Sequence, residues 1–269
     1  MKKLIHYLLV ISAVLILSGC GNQTAVVNVE VIPDAVKSPS ASVTPAATTV
    51  KKTSTPTAAS PVPPAVVVPV KQIAQIPDKF LLNIAFAQQA PFGNWDKVHE
   101  ETCEEASAIM VDKFLKKQPL SEQIMEDELQ KLLKWESDRG YKVDLTAQET
   151  VDVLKNYFGV TAHLSTNVTV DQIKYELSQG RPIIIPAAGR ALGNPNFTGT
   201  GPIYHMLVIK GYNATQFITN DPGTRNGNSY AYSYNVLLNA IHDWNPAYAG
   251  NMSDAQMLKG EKVMIVVDN

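Results

Sequence analysis

Cysteine is nearly absent from this chain: 269 residues contain two, Cys20 and Cys103. Each has a separate context, so neither is expected to serve as a disulfide partner for the other. No closely spaced Cys/His set with metal-ligand spacing occurs, so no metal site is expected. There is no Gly-rich phosphate loop, and no cofactor is expected. An excess of either charge is also missing, the formal net charge being −2 with mixed signs. Nucleic-acid binding therefore has no electrostatic footprint. No internal repeat is visible.

What is present begins with MKKLIHYLLVISAVLILSGC. Lys2 and Lys3 precede an apolar run from Leu4 to Leu17 and then Ser18, Gly19 and Cys20. This is the order of a secretory signal peptide, and the run is short for a spanning helix. Leu17-Ser18-Gly19-Cys20 resembles the bacterial lipobox, which implies a signal peptide over 1–20 and lipidation of Cys20. The rest of the chain is then expected in the cell envelope, outside the cytoplasm and anchored to a bacterial membrane through its N-terminal lipid.

From 21 to 75 the chain is rich in Thr, Ala, Pro, Val and Ser, with no aromatic residue and no sustained apolar period. Such a segment buries too little surface to offset chain entropy and reads as a disordered tether. Where polyproline-like it extends by about 3.1 Å per residue, holding the C-terminal part of the chain well away from a lipid surface. The Val-rich piece Ala65 to Val70 is the one stretch here compatible with an edge strand.

The folded part is expected over 76–269, a length suited to one domain. Leu81 to Phe86 suggests a short strand or turn. Helices are expected from Cys103 to about Lys117, from Ser121 to Asp138, from a Thr146/Glu149 capping box to Gly159, and from Thr169 to Gly180. After Arg181 the pattern changes to strands: Pro182 to Pro186, His205 to Tyr212, Gln216 to Asn220, a piece around Tyr230 and Tyr232, and Val263 to Val267. Ser233 is placed to cap a helix through Ile241. Gly189 to Pro202 reads as a long loop without regular structure, a length often found in lids and binding loops. Helices first and strands later is the α+β order, with an antiparallel sheet.

The candidate site starts at Cys103. Loop residues precede it, and Ala106, Ile109, Met110 and Phe114 follow at helical spacing, which places the thiol at a helix start. The peptide dipoles and unpaired N–H groups there favour thiolate. Glu104 and Glu105 suit a first helical turn and argue against deep burial, yet their charge raises a thiol pKa and works against activation. A lone thiol in an exported protein calls for a reason.

The hairpin downstream supplies partners. Pairing across a turn centred on Asn213 and Ala214 sets Asp221, or the residue after it, opposite His205. Opposed side chains on one face have Cβ atoms about 4.5 to 5.5 Å apart. A carboxylate there holds one ring nitrogen and leaves the other for a thiol. The plain alternatives are a turn at Asp221-Pro222-Gly223 and a strand-edge histidine. His99, just before Cys103, reads as a surface or rim residue, His242 as a packing feature at a helix end, and His163 as lacking a partner.

The pattern QAPFGNW, CEEAS, PII, HMLVIKGY and NDPGT resembles the papain-like cysteine peptidases of family thirty-nine, the fold of double-glycine leader peptidases, and especially their stand-alone branch. The resemblance spans roughly 83–269 and implies a papain-like fold in which an N-terminal helical lobe packs on a C-terminal sheet. It implies Cys103 as nucleophile, His205 as general base and later acid, Asp221 orienting the imidazole, and Gln89 stabilising the oxyanion. Two departures stand out: Glu104 replaces the family's common Gly, and the Gln89–Cys103 segment is longer than in exporter-linked enzymes. The reaction so implied is hydrolysis of an amide in a peptide or a peptidoglycan stem peptide. The alternative is a papain-like module that binds peptides or cell-wall fragments without cutting them. Trp95, Phe92 and the 189–202 loop are expected to flank the cleft.

Overall fold

The structure is a computed structural model and describes residues 76–248 and 250–269. The expected signal peptide, Cys20, the expected tether and the Val-rich piece all lie outside the described residues. Among those described, no helix is long and apolar enough to cross a membrane.

Chain order runs β1 (Phe80–Leu81), α1 (Cys103–Leu115), α2 (Glu122–Ser137), α3 (Ala147–Asn156), β2 (Ala162–Ser165), α4 (Val170–Ser178), β3 (Ile183–Ala188), β4 (Tyr204–Tyr212), β5 (Gln216–Asn220), β6 (Tyr230–Ser233), α5 (Tyr234–Ala240), α6 (Asp254–Met257) and β7 (Met264–Val267). The fold is α+β, with most of the helical chain ahead of one antiparallel sheet of order β2-β7-β3-β4-β5-β6, and β1 pairing on β4.

Local chemistry sets the helix starts. Ser121, Thr146, Thr169 and Ser233 each accept a hydrogen bond from a backbone N–H in the first turn, and Thr146 with Glu149 completes a capping box. Gly159 and Gly180 follow α3 and α4 at φ of 69° and 81°, a conformation that favours glycine after a helix.

Two elements position everything else. β4 is buried at all nine of its residues. α1 packs on it with Cys103 through Lys113 all buried, and Ser107 Oγ donates to Met206 O at 3.2 Å. Truncating Ile109 or Met110, both fully buried in this helix, is expected to cost about 2–5 kcal/mol. The docking brings the first residue of α1 beside the first residues of β4.

α1 corrects one sequence expectation. Glu104 and Glu105 are 1% and 2% exposed, not at the surface. A carboxylate moved from water without a cation is expensive, so both groups are driven toward the neutral form. Burial, then the negative charges of Glu104 and Glu136, lift Glu105 well above its usual value, and burial lifts Glu136 on α2 to about 7.

Other differences are local. Only Phe80–Leu81 pairs as a strand, and the chain to Phe86 is held as a loop, Leu82 N donating to Lys210 O and Asn220 Nδ2 to Ile84 O and Ala85 O. β2 has no counterpart among the expected strands; it pairs with β7 at the edge of the sheet. The 189–202 loop opens with a 3₁₀ turn, Gly189–Leu192. In the β4–β5 hairpin the register shifts at Lys210, which has no partner on β5; its ammonium donates to Ile84 O and Asn228 Oδ1. Gly211 beside it is required, because a Cβ would lie 2.5 Å from Phe80 O.

Candidate active site

The nucleophile candidate is the first residue of α1. Thr102 at the N-cap makes no side-chain cap; its hydroxyl lies 3.4 Å from Gln89 O and from His99 O instead. The first backbone N–H groups of the helix thus lack intrahelical partners. Sγ of Cys103 donates to Glu104 Oε2 at 3.0 Å. The thiol pKa is pushed well above its usual value by burial first, then by the negative charge and hydrogen bond of Glu104, with the Met206 backbone pulling the other way. The helix-start effect expected for thiolate is outweighed in this resting arrangement.

His205 enters the site from β4, opposite Ala187 on β3. Its Nε2 lies 2.8 Å from Asp221 Oδ1, with both residues buried. With the Nε2 hydrogen directed at a carboxylate, Nδ1 keeps the lone pair. The register argument reached the right pair by an inexact route. Val208 pairs with Asn220, so the ladder extended back to His205 points at Gly223, and Asp221 has left β5, its N–H donating to Gly227 O. The carboxylate then reaches diagonally to the ring. Gly223 sits against His205: a Cβ there would lie 2.8 Å from Cε1.

Three further groups hold Asp221. Tyr232 Oη donates to Oδ2 at 2.6 Å, Asn194 Nδ2 donates to Oδ2 at 3.0 Å, and Gly223 N–H donates to Oδ1 at 3.0 Å. Burial works to raise the Asp221 pKa, but the adjacent His205 and the hydrogen bonds from Tyr232 and Gly223 overcome it, and the net shift is downward. The Tyr232 hydroxyl is shifted strongly upward by burial and by the adjacent Asp221 charge, so it remains a donor. Sequence reasoning missed Asn194 and Tyr232. Tyr232 had a signal in its alternation with Tyr230 on a strand next to β5; Asn194 in a Gly, Asn and Pro loop had none.

Cys103 and His205 line one cavity of about 800 Å³, with Gln89, Trp95 and Phe197 also on its walls. Asp221 lies behind His205, and the Phe197 ring meets the imidazole edge-on at 5.3 Å. Trp95 and residues of the 189–202 loop line this cleft as expected, whereas Phe92 is exposed and stands off it. Charges on the wall are mostly acidic, Glu100, Glu101, Glu104 and Asp144 against Arg225.

Gln89 is placed at the cleft by its N–H donating to Pro222 O at 3.0 Å. Its amide nitrogen donates to His99 O at 2.8 Å and Glu100 O at 3.0 Å, while Oε1 is buried without a partner. A primary amide has two N–H donors, and both are committed here. Gln88, only part-buried, donates to Pro91 O at 3.4 Å and is not on the cleft wall.

The Gln89–Cys103 segment holds a clasp around His99. His99 is buried, not on the rim: Nδ1 lies 2.9 Å from Asp96 Oδ1 and Nε2 2.9 Å from Glu126 Oε2 on α2. Burial lowers its pKa, but the two carboxylates overcome this and the net shift is upward. His242 packs at the end of α5 with Nδ1 2.8 Å from Gly260 O, and exposed His163 has Asp268 at 3.9 Å. Among the described residues no cluster of three or more metal-ligating side chains occurs.

A helix-borne sulfur and a carboxylate-held imidazole line one cleft of a papain-like α+β architecture with helices ahead of an antiparallel sheet. The chain belongs to the Peptidase C39 like family, whose match spans residues 81–252. Among solved structures it is similar to a protein described as a C39-like peptidase from Bacillus anthracis, at 14% identity and a TM-score of 0.44 over 72% of this chain and 99% of that one. It is also similar to xylellain, a cysteine protease from Xylella fastidiosa, at 14% identity and a TM-score of 0.35 over 75% of this chain and 90% of that one. No curated protein matches the chain.

Proposed function

We propose that this chain is a lipid-anchored extracytoplasmic thiol hydrolase that cleaves amide bonds in peptides or peptidoglycan stem peptides. The observation that carries the reading is the His205 Nε2–Asp221 Oδ1 pair at 2.8 Å, buried at the wall of the cleft that Cys103 also lines. His205 Nδ1 takes the thiol proton as Sγ attacks the amide carbonyl. The same nitrogen then returns that proton to the leaving amine, giving a thioester that water hydrolyses with His205 again as base. Asp221 keeps the ring in the tautomer this needs and steadies the imidazolium that forms. The unpaired N–H at the start of α1 is the backbone donor for the oxyanion; Gln89 joins it only if its amide turns from the carbonyls of His99 and Glu100.

Lipid anchoring rests on the sequence Leu17-Ser18-Gly19-Cys20, and the 21–75 tether sets the reach of the domain. The test is iodoacetamide labelling and peptide cleavage by the wild-type chain and Cys103→Ala. A wild-type thiol that is inert near neutral pH would remove the nucleophile.

A second reading is favoured by the raised thiol pKa and the committed Gln89 amide: a cleft that holds peptides or cell-wall fragments without cutting them. It predicts tight peptide binding that survives His205→Ala, with no turnover in either form.

A further inference from the structure

Glu104 is the residue in this site whose chemistry is not yet accounted for. Its side chain turns back along α1 so that Oε2 lies 3.0 Å from Cys103 Sγ, while Oε1 accepts the Leu145 N–H at 3.1 Å. The second contact fixes which oxygen faces the sulfur. Leu145 is itself held, since Tyr204 Oη donates to its carbonyl at 2.8 Å. The carboxyl group is therefore clamped from the segment ahead of α3, which is tied in turn to β4.

The surroundings decide its protonation. Asp144 faces it from the same segment as Leu145, Glu105 follows it on α1, Tyr204 approaches from β4, and Cys103 is in contact. Asp144 is itself lifted to about 6, by burial and by Glu101. Among the described residues no cationic side chain forms an ion pair with Glu104. Burial, aided by Asp144 and opposed by its hydrogen bonds, lifts Glu104 to about 8.

The geometry points to Glu104 as a catalytic residue that works in its neutral form, donating the hydrogen on Oε2 to the Cys103 sulfur when the thiol proton leaves for His205 Nδ1. The inference rests on the nucleophile reading above and deepens it. In the step, the S–H bond breaks and an Nδ1–H bond forms, so the sulfur becomes thiolate and the ring imidazolium. Glu104 loses no proton; the S–H···O contact of the resting site gives way to an O–H···S bond on the new negative charge, a charge-assisted contact stronger than a neutral one. Once Glu104 ionises, the same oxygen can only accept. It then holds the thiol hydrogen on sulfur, and its charge opposes the thiolate. A residue that counts against thiolate formation when charged thus favours it when neutral.

The test compares Cys103 labelling by iodoacetamide in the full-length wild type and Glu104→Gln across pH 6 to 9.5, with the labelled site read by peptide mass mapping to separate it from Cys20. The amide oxygen of Gln takes the Leu145 N–H, which leaves N–H facing the sulfur at every pH. Rates within about twofold at pH 6.5, and about tenfold faster labelling of the variant at pH 9, are expected, because one unit above its pKa only about a tenth of a carboxyl stays protonated. The wild-type profile alone should level off near pH 8, which serves if the variant does not fold. Superimposable profiles that climb together to pH 9.5 would overturn the role of Glu104 and leave the nucleophile standing. A thiol inert in both proteins would remove both.

Discussion

The Tyr232 hydroxyl donates to the far oxygen of the carboxylate that holds His205, at 2.6 Å from Asp221 Oδ2. β6 thereby reaches across β5 to set the imidazole, with Asp221 as the intermediary between hydroxyl and ring. The arrangement explains how an aspartate with no exposure stays ionised: the His205 ring and the Gly223 N–H face one oxygen, and the Tyr232 hydroxyl and Asn194 amide donate to the other. A carboxylate so satisfied fixes one ring tautomer, on which the proposed proton transfers depend.

Removing that hydroxyl is the first prediction. Tyr232→Phe leaves Oδ2 with Asn194 alone, and a hydrogen bond to a charged group is worth about 1.5–3 kcal/mol. Peptide cleavage should fall by about ten- to a hundredfold. Asp221 has a lowered folded pKa, so its stabilisation is present above its unfolded value and is lost as pH falls through the folded one. The melting-temperature deficit of Tyr232→Phe should therefore be largest near neutral pH and shrink toward pH 3.

Gly223→Ala makes a different cut. The added Cβ would lie 2.8 Å from His205 Cε1 and 3.1 Å from Phe197 Cε1, and neither ring is the free end of a flexible chain. Overpacking of this kind costs about 1–3 kcal/mol. The displaced group is the proposed base, so cleavage should fall by more than tenfold even in protein that remains fully folded by circular dichroism. Unchanged cleavage would show that the ring has room the structure does not give it.

The His99 clasp supports the loop that carries Gln89 and leads to Cys103. His99→Gln should destabilise the domain by on the order of 1 kcal/mol, because it loses contacts to Asp96 and Glu126 of which Asp96 is largely exposed. The folded pKa of His99 is raised, so the stabilisation is complete below the unfolded value near 6.5 and disappears as pH rises through the folded one. Denaturant midpoints of wild type and variant should differ most at pH 6 and converge by pH 9.

Much of this arrangement was legible in the sequence because its signals are local. Ser121, Thr146, Thr169 and Ser233 mark helix starts through their own hydroxyls, and Cys103 at a helix start follows from loop residues on one side and helical spacing on the other. The His205–Asp221 pairing was legible through hairpin spacing, though the register shifts by one residue at Lys210, whose side chain reaches Ile84 O far away in sequence. Ala162–Ser165 was not legible because four residues of mixed polarity pair only with β7 at the chain's far end. The burial of Glu104 was hidden for a related reason. Charge ordinarily signals solvent, and only the tertiary placement of Leu145 and Tyr204 supplies a buried carboxyl with its partner and its cover.

The central claim is that the buried imidazole of His205 activates the Cys103 sulfur. The most direct measurement is the rate of Cys103 alkylation near pH 7 in the wild-type chain and in His205→Ala, with the modified residue identified by mass. At least tenfold slower alkylation is expected when the imidazole is removed. Equal rates in the two proteins would contradict the account.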